Sequence, residues 1–221
     1  AARLTLPRVP DIGAWKLCGS GADQGFVPIP NTAVWVILAT WPDAETARAR
    51  IAAHAPFTTW QHHAAECWTV FLAPTSVRGA WAGETPFRVS ADPAPGPLAV
   101  LTRATVKPRV AAQFWRRTPD LNRAIFADPN VVFRIGIGEV PLMQQVTFSI
   151  WPDTESMSAF AHARGGLHAQ AVRAVRDGDW FREELYARFR ILGEAGTWNG
   201  ASPLAGLSLP RDTPYHGQHE T

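Results

Sequence analysis

Two apolar runs of strand length in this chain meet the same tripeptide, and a helical pattern follows each of them. The run 34–40 leads into Trp-Pro-Asp at 41–43, and the run 143–151 ends in the same tripeptide at 151–153, 110 positions further on (151 minus 41). Asp43 and Asp153 stand where a helix N-cap belongs. The pattern therefore predicts a strand-to-helix unit that occurs twice.

The second half of the chain has the pattern of a β-α-β-β-α-β unit. It predicts strands at 98–106, 131–137, 143–151 and 185–192, a helix after Pro108, and a helix after Asp153 that breaks at Gly165-Gly166 and resumes at 167–175. This is the ferredoxin-like order, an antiparallel sheet with helices on one face. The other face needs a cover, for which a second copy is the natural candidate.

The first half repeats only the later part of this unit. With the 110-residue offset, 34–40 corresponds to a strand, 43–53 to a helix and 67–72 to a closing strand, whereas 19–31 holds too many Gly and Pro for a long helix. We therefore expect an α+β fold of two ferredoxin-like repeats, antiparallel sheets with helices outside, the first repeat eroded. The expected units are 1–97, 98–193 and an extended tail at 194–221.

Composition narrows the class of protein. Apolar residues make up 46% of the chain, with ten Trp and eleven Phe, which predicts a packed globular core. A net charge of only +2 without a basic block argues against a nucleic-acid groove. Two Cys, no signal-peptide layout and no apolar run of roughly 20 residues favour a reducing cytoplasm, no integral membrane segment and at most peripheral membrane contact.

His168 is the first candidate for chemistry. It follows the Gly165-Gly166 break and shares a helix face with apolar residues, so a neutral ring can either hydrogen-bond structurally or bind a metal. The offset places Thr58 opposite it in the first half (168 minus 110), so the histidine is not part of the shared scaffold.

Other candidates lie on the predicted strands. Arg103, Arg134 and Gln145 can form a pocket for an anionic group or face solvent, because the pattern does not fix the register of the strands. Trp115, Phe133 and Phe148 can line a cavity or simply fill the core.

The sequence gives little support for a zinc site or a nucleotide-binding loop. The spacing of His62, His63 and Cys67 favours a surface loop over a zinc site. No Gly-rich phosphate loop is present, so a reductant would come from another protein.

Six segments resemble one known family. They are LCGSG at 17–21, LTRAT at 101–105, FWRR at 114–117, GIGEVP at 136–141, QVTFSIW at 145–151 and EELYARFR at 183–190. They are spread over most of the range 15–192, and the chain resembles the spheroidene monooxygenase family of carotenoid-modifying enzymes.

The resemblance implies a haem-dependent monooxygenase on a dimeric α/β-barrel type of scaffold, similar in architecture to the haem-containing aldoxime dehydratases. It implies haem b with His168 as axial iron ligand and Gly166 leaving room for the porphyrin. Arg103 and Arg134 would pair with haem propionates or polarise oxygen, and with Gln145 they form the expected catalytic set.

The same resemblance implies the partners. Trp115, Phe133 and Phe148 would line a dry pocket for a small apolar or natural-product substrate, and an external donor such as a ferredoxin would supply electrons. The scaffold allows a homodimer. The alternatives are a haem lyase of the aldoxime dehydratase kind and a non-catalytic haem-binding module.

Overall fold

A computed structural model of the chain describes residues 2–22, 25, 29–116, 128–140, 142–162 and 178–209. They form one curled, fully antiparallel sheet of seven strands with few helices. The predicted α+β class is confirmed.

The elements are as follows. The strands are β1 Trp15–Gly21, β2 Pro30–Ala39, β3 Trp68–Gly79, β4 Leu98–Val106, β5 Phe133–Gly138, β6 Gln144–Trp151 and β7 Phe181–Gly196. The helices are α1 Ala2–Thr5, α2 Ala44–Ala53, α3 Phe57–His63, α4 at 111–116 and α5 Thr154–His162, with 3-10 turns at Leu6–Arg8 and Pro108–Val110.

The strand order is β2-β1-β5-β6-β4-β7-β3. The four strands of the second half are central, and those of the first half flank them, β1 beside β5 and β3 beside β7. The prediction of two ferredoxin-like repeats, each with its own sheet, is therefore not confirmed. The described strands of the first half extend the sheet of the second half.

Side chains alternate between two faces of the sheet. The inner face carries one apolar cluster to which Leu101, Phe148 and Leu185 of the central strands contribute. Val36 of β2 and Val70 of β3, strands at opposite edges, pack against this same cluster. The sheet must therefore curl, because residues of both edge strands reach one core.

Two segments of the same chain complete the cover of the inner face. Trp81 and Phe87 come from the segment after β3, and Trp198 and Leu204 come from the segment after β7. Trp81 and Leu204 are almost fully buried. The cover that the sequence pattern assigned to a second copy is thus built from the curled sheet and these segments.

The repeated tripeptide has the predicted capping role in both places. The Asp43 carboxylate accepts a hydrogen bond from the Thr46 amide at 2.7 Å, and Asp153 accepts one from the Ser156 amide at 2.7 Å. These backbone hydrogen bonds lower the pKa of both carboxyl groups, because they favour the ionised form. The strand-to-helix unit with an N-cap is confirmed in both halves.

Helices cover parts of the outer face. The first 3-10 turn and α3 bury Leu6 and Phe57 against β1 and β2 together with Ile51 of α2, and α5 packs Met157 onto Leu98 and Trp151. Among the described helices, none combines the length and apolar character needed to cross a bilayer.

One rim of the curled sheet is formed around the turn between β5 and β6. β5 and β6 are joined there through Leu142, and the ends of β2, β3 and β4 and the starts of β1 and β7 lie along the same rim, as the strand register requires. We call it the Leu142 rim.

Candidate functional site

The outer face of the central strands carries a row of small side chains. Gly136 pairs with Thr147, Thr147 with Thr102, and Thr102 with Tyr186, across β5, β6, β4 and β7. Their strand neighbours, such as Ile135, face the inner core, so this row faces outward. We call Gly136, Thr147 and Thr102 the platform, because these three residues stand in register and none has a side chain larger than that of threonine.

Two predicted catalytic residues flank the platform on this face. Arg134 lies one alternation from Gly136 and pairs in register with Ser149, and Gln145 lies one alternation from Thr147. Burial lowers the pKa of Arg134, but its guanidinium stays charged at neutral pH. The flank of the platform therefore provides one fixed positive charge and one amide.

A cleft of about 410 Å³ adjoins the platform at the Leu142 rim. One side of the cleft is formed by Tyr186 and Arg78, and the Arg78 guanidinium carbon lies 6.0 Å from the centroid of the Tyr186 ring. Tyr186 stands in register with Thr102 of the platform. Asp179 forms the other side and is paired with Lys107 and, at 3.3 Å, with Arg109. These cationic partners lower the pKa of Asp179, which keeps it ionised.

The outer face becomes apolar between the platform and the Leu142 rim. Val106 at the end of β4 packs with Phe114, Trp180 and Phe181 in a separate cluster. Trp115 joins this cluster, 5.1 Å from Phe114 between ring centroids, and its indole donates a 2.8 Å hydrogen bond to the Leu142 carbonyl. Trp115 thus lies close to the cleft.

The third predicted catalytic residue, Arg103, is on the opposite face. It is only 3% exposed and forms an ion pair with Glu183. The Glu183 carboxylate also accepts hydrogen bonds from the Ala82 amide at 2.8 Å and the Gly83 amide at 2.6 Å. Burial alone would raise the pKa of Glu183, but these amides and Arg103 hold it below its ordinary value. The pair ties the turn after β3 to the inner face.

Further polar groups surround this ion pair. The buried Trp81 indole donates a 2.6 Å hydrogen bond to Glu139, and its ring has the Lys16 ammonium 5.4 Å and the Arg103 guanidinium 5.7 Å from the ring centroid. Burial raises the pKa of the Cys18 thiol to about 12, Glu139 adds to the rise and Lys16 opposes it. Cys18 is thus a neutral core residue at physiological pH.

Phe133 and Phe148 lie in the inner core. Their ring centroids are 6.2 Å apart, and Phe133 also packs 4.6 Å from Trp68. The sheet separates them from Trp115, with which the sequence pattern grouped them. The structure thus brings Arg134 and Gln145 to the platform, Trp115 to the nearby apolar cluster, and Arg103, Phe133 and Phe148 to the inner face.

The predicted metal ligand His168 and the neighbouring Gly166 lie outside the described residues, so their roles stay predictions. Thr58, at the offset from His168, lies in α3. His62 and His63 end that helix with ring centroids 5.1 Å apart. Within the described ranges no three His, Cys, Asp or Glu side chains come together as a metal site would need.

Sequence reasoning missed the inner polar cluster. Glu183 had a readable signal, because it precedes the inward Leu185 and Ala187 at two-residue spacing. The sequence carried no signal for the hydrogen bond between Trp81 and Glu139, because these two loop residues are 58 positions apart.

The geometry defines a class of protein: an α+β protein with a curled antiparallel sheet and, on its helix-bearing face, a platform beside a polar cleft. No family model matches the chain. A solved structure from Fusobacterium nucleatum aligns with 90% of this chain over 84% of its own chain. The TM-score is 0.42 and the sequence identity 11%, which is too low a similarity to assign a function.

Three sequence relatives are all named spheroidene monooxygenase. The Cereibacter sphaeroides protein is 50% identical over 92% of this chain, which spans 63% of that relative's length. The Rhodobacter capsulatus protein is 47% identical over 96% of this chain and 89% of its own. The Rubrivivax gelatinosus protein is 32% identical over 89% of this chain and 76% of its own length. The chain belongs to the spheroidene monooxygenase family.

Proposed function

We propose that this protein is a haem-dependent monooxygenase that acts on spheroidene or a similar apolar carotenoid. The observation that carries the proposal is the 47% identity with the Rhodobacter capsulatus spheroidene monooxygenase across 96% of the chain. In the reaction, one oxygen atom of dioxygen enters a substrate C–H bond to give a hydroxyl group. The other atom leaves as water, with two electrons from a ferredoxin-type donor and two protons from solvent.

The outer face suits a flat cofactor better than the inner face does. The platform offers small side chains over which a macrocycle can lie, whereas the inner face is filled by aromatic and aliphatic side chains. Arg134 beside it supplies the charge that a propionate needs. The residues present therefore fit a haem on the outer face.

The topology supports His168 as the ligand. β6 and β7 are both antiparallel to β4 and so run parallel, which means that residues 152–180 connect opposite rims of the sheet. The first part of this connection, α5, packs on the outer face through Met157. His168 belongs to the same connection in sequence, which supports its proposed role as the haem ligand. Haem held by one histidine supplies oxygen activation when bound.

The chain's own residues have separable tasks under this proposal. Arg134 holds the cofactor carboxylate, the Thr102 and Thr147 hydroxyl groups donate hydrogen bonds above the platform, and Gln145 orients a polar group of the substrate. The apolar cluster around Trp115 and Phe114 guides the hydrocarbon chain of the substrate and keeps water away.

The activity test uses the full chain, supplied with haem, a reduced ferredoxin and detergent-solubilised spheroidene. Oxygen-isotope labelling followed by mass spectrometry should show a product with one atom from dioxygen and none under strict anaerobiosis. Turnover without oxygen would instead favour a haem lyase of the aldoxime dehydratase kind. Stable haem binding without turnover would favour a non-catalytic haem-binding module.

The cofactor test is spectroscopic. We expect a Soret band in the haem-supplemented protein and loss of at least about tenfold in haem affinity in His168→Ala, because a haem without its axial ligand keeps only its packing contacts. His63→Ala, at the end of α3, is the matched control and should leave the band unchanged. An unchanged band in His168→Ala would remove this residue as the ligand.

A further inference from the structure

Exposed apolar side chains collect at the Leu142 rim. Of the seven large apolar side chains described as exposed, Trp35, Val140 and Leu142 lie near it, and their exposed fractions are 61%, 45% and 46%. Strand register brings them together, because Gly19 of β1 pairs with Trp35 on one side and with Gly138, two residues before Val140, on the other. Three of the seven side chains thus collect around one turn, which is more than a scattered surface explains.

The backbone around Trp35 presents its ring to the outside. The β1–β2 register jumps there, with Gly19 opposite Trp35 but Ser20 opposite Asn31, so that residues 32–34 form a bulge in an edge strand. The Trp35 indole donates a 2.9 Å hydrogen bond to the Thr32 carbonyl, which braces the ring against the bulge. Bulges at sheet edges commonly re-aim a side chain in this way.

The charge along the part of the rim formed by β3, β4 and β7 is mostly positive. Arg78, Arg109, Arg116 and Arg182 are exposed there, against the exposed acids Glu84 and Asp179, a ratio of four to two among the described exposed positions of this part. Exposed Trp and aliphatic side chains with arginines along the same rim match the interface of a bilayer that contains anionic lipids.

We propose that the Leu142 rim docks on the surface of an anionic lipid bilayer, with Trp35, Val140 and Leu142 in the interfacial layer and the rim arginines on the headgroups. The functional reason for docking rests on the proposed function, because a carotenoid substrate dissolves in the bilayer. The platform cleft opens at this rim, and the Trp115 cluster lies beside it. Docking therefore places the cleft next to the membrane that holds the substrate.

The binding test is co-sedimentation of the full chain with vesicles of phosphatidylcholine alone or mixed with phosphatidylglycerol. We expect binding to the mixed vesicles that weakens with salt. The double variant Trp35→Ser, Val140→Ser should bind at least about tenfold more weakly, since each loses an inserted apolar side chain. The control Ile29→Ser, Val89→Ser alters two exposed apolar residues elsewhere, at the opposite end of β1 and beside the middle of β3, and should bind like the parent chain.

A second vesicle-binding test reverses the charge of two arginines at the rim. Arg116→Glu with Arg182→Glu should weaken binding to the mixed vesicles by more than about tenfold, because each basic residue contributes roughly a fivefold factor at an anionic surface. Arg88→Glu with Arg188→Glu is the control, since both arginines are exposed but lie away from the rim. Equal losses in control and rim variants, or no vesicle binding by the parent chain, would overturn the proposal.

Two readouts separate this inference from its rivals and from the proposed function. Trp35→Ser, Val140→Ser should keep turnover of detergent-solubilised spheroidene and lose turnover of spheroidene in vesicles. If the parent chain turns over neither form, the proposed function fails while the vesicle-binding result still stands. If the double variant instead changes a dimer into a monomer on light scattering and still binds vesicles, the rim is an interface between copies and the docking proposal is wrong.

Discussion

Arg103 and Glu183 depend on each other unequally. The Arg103 side chain is 1% exposed, and its Nε has no hydrogen-bond partner among the described residues, so Glu183 is its main compensation. Glu183 is 21% exposed in its side chain and keeps two backbone amide donors without Arg103. Removing the carboxylate therefore leaves a buried, uncompensated charge, whereas removing the guanidinium does not.

This asymmetry predicts an order of stability. Glu183→Ala should lower the free energy of unfolding by about 3–5 kcal/mol, the cost of breaking a buried pair by removing one partner. Arg103→Met, which keeps the volume apolar, should cost less, about 1–2 kcal/mol. Urea denaturation measures both, with Arg109→Met as an exposed-arginine control. Equal losses would show that the Arg103 charge does not rely on Glu183.

The pair also predicts a pH dependence. The folded-state pKa of Glu183 lies below its ordinary value, so the stability it contributes is fully present above the unfolded pKa, about 4.3, and is lost as pH falls through the folded pKa. The gap in unfolding free energy between the parent chain and Glu183→Gln should therefore be constant near neutrality and shrink below about pH 4. Urea titrations at several pH values test this. A gap that widens in acid would contradict the assignment.

At the scale of elements, sequence patterns predicted the central strands well. The predicted strand 98–106 is β4, Leu98–Val106, and 143–151 differs from β6 by one residue, because both carry strong apolar runs. The predicted 185–192 is only the middle of β7, whose ends extend to pair with β3 beyond its apolar part. β1, with its Gly-Ser-Gly end, had no strand signal.

Register explains what remained open at the site. A shift of one residue along a strand moves a side chain to the other face of the sheet. No local sequence pattern indicated that Arg103 pairs with the inward-facing Val146 and Arg134 with the outward-facing Ser149. The residue types of the candidate site were thus predictable, but their grouping on two faces was not.

The platform gives a prediction at this scale. Thr147→Leu adds bulk in the middle of the row and should weaken haem binding by at least about tenfold under the proposed function, because the larger side chain fills space above the platform. Thr69→Leu is the matched control, an equally half-buried threonine on the outer side of β3. Soret titration measures affinity, and a thermal melt confirms that both variants fold. Equal affinity in Thr147→Leu and the parent chain would exclude the platform as the haem surface.

At the scale of the whole molecule, the strand order depends on pairing between the two halves. β3 pairs along β7 from Trp68 opposite Gly196 to Gly79 opposite Leu185, and β1 pairs with β5 at Gly19 and Ser20. These contacts join residues far apart in sequence, so no local pattern specifies them. The units 1–97 and 98–193 stay a prediction about organisation, and the shared sheet bears on whether either folds alone.

The shared sheet predicts that the second half alone does not fold cooperatively. A fragment of residues 98–209 would lose β1 from the β5 edge, β3 from the β7 edge, and the cover that Trp81, Phe87 and Trp68 give to the inner core. Long exposed edges over an uncovered apolar face favour aggregation or a loose state. Circular dichroism should show no sharp melt for this fragment, and co-expression with residues 1–97 should restore one. A sharp melt of the fragment alone would mean that β4 to β7 form an autonomous domain to which the first-half strands merely add.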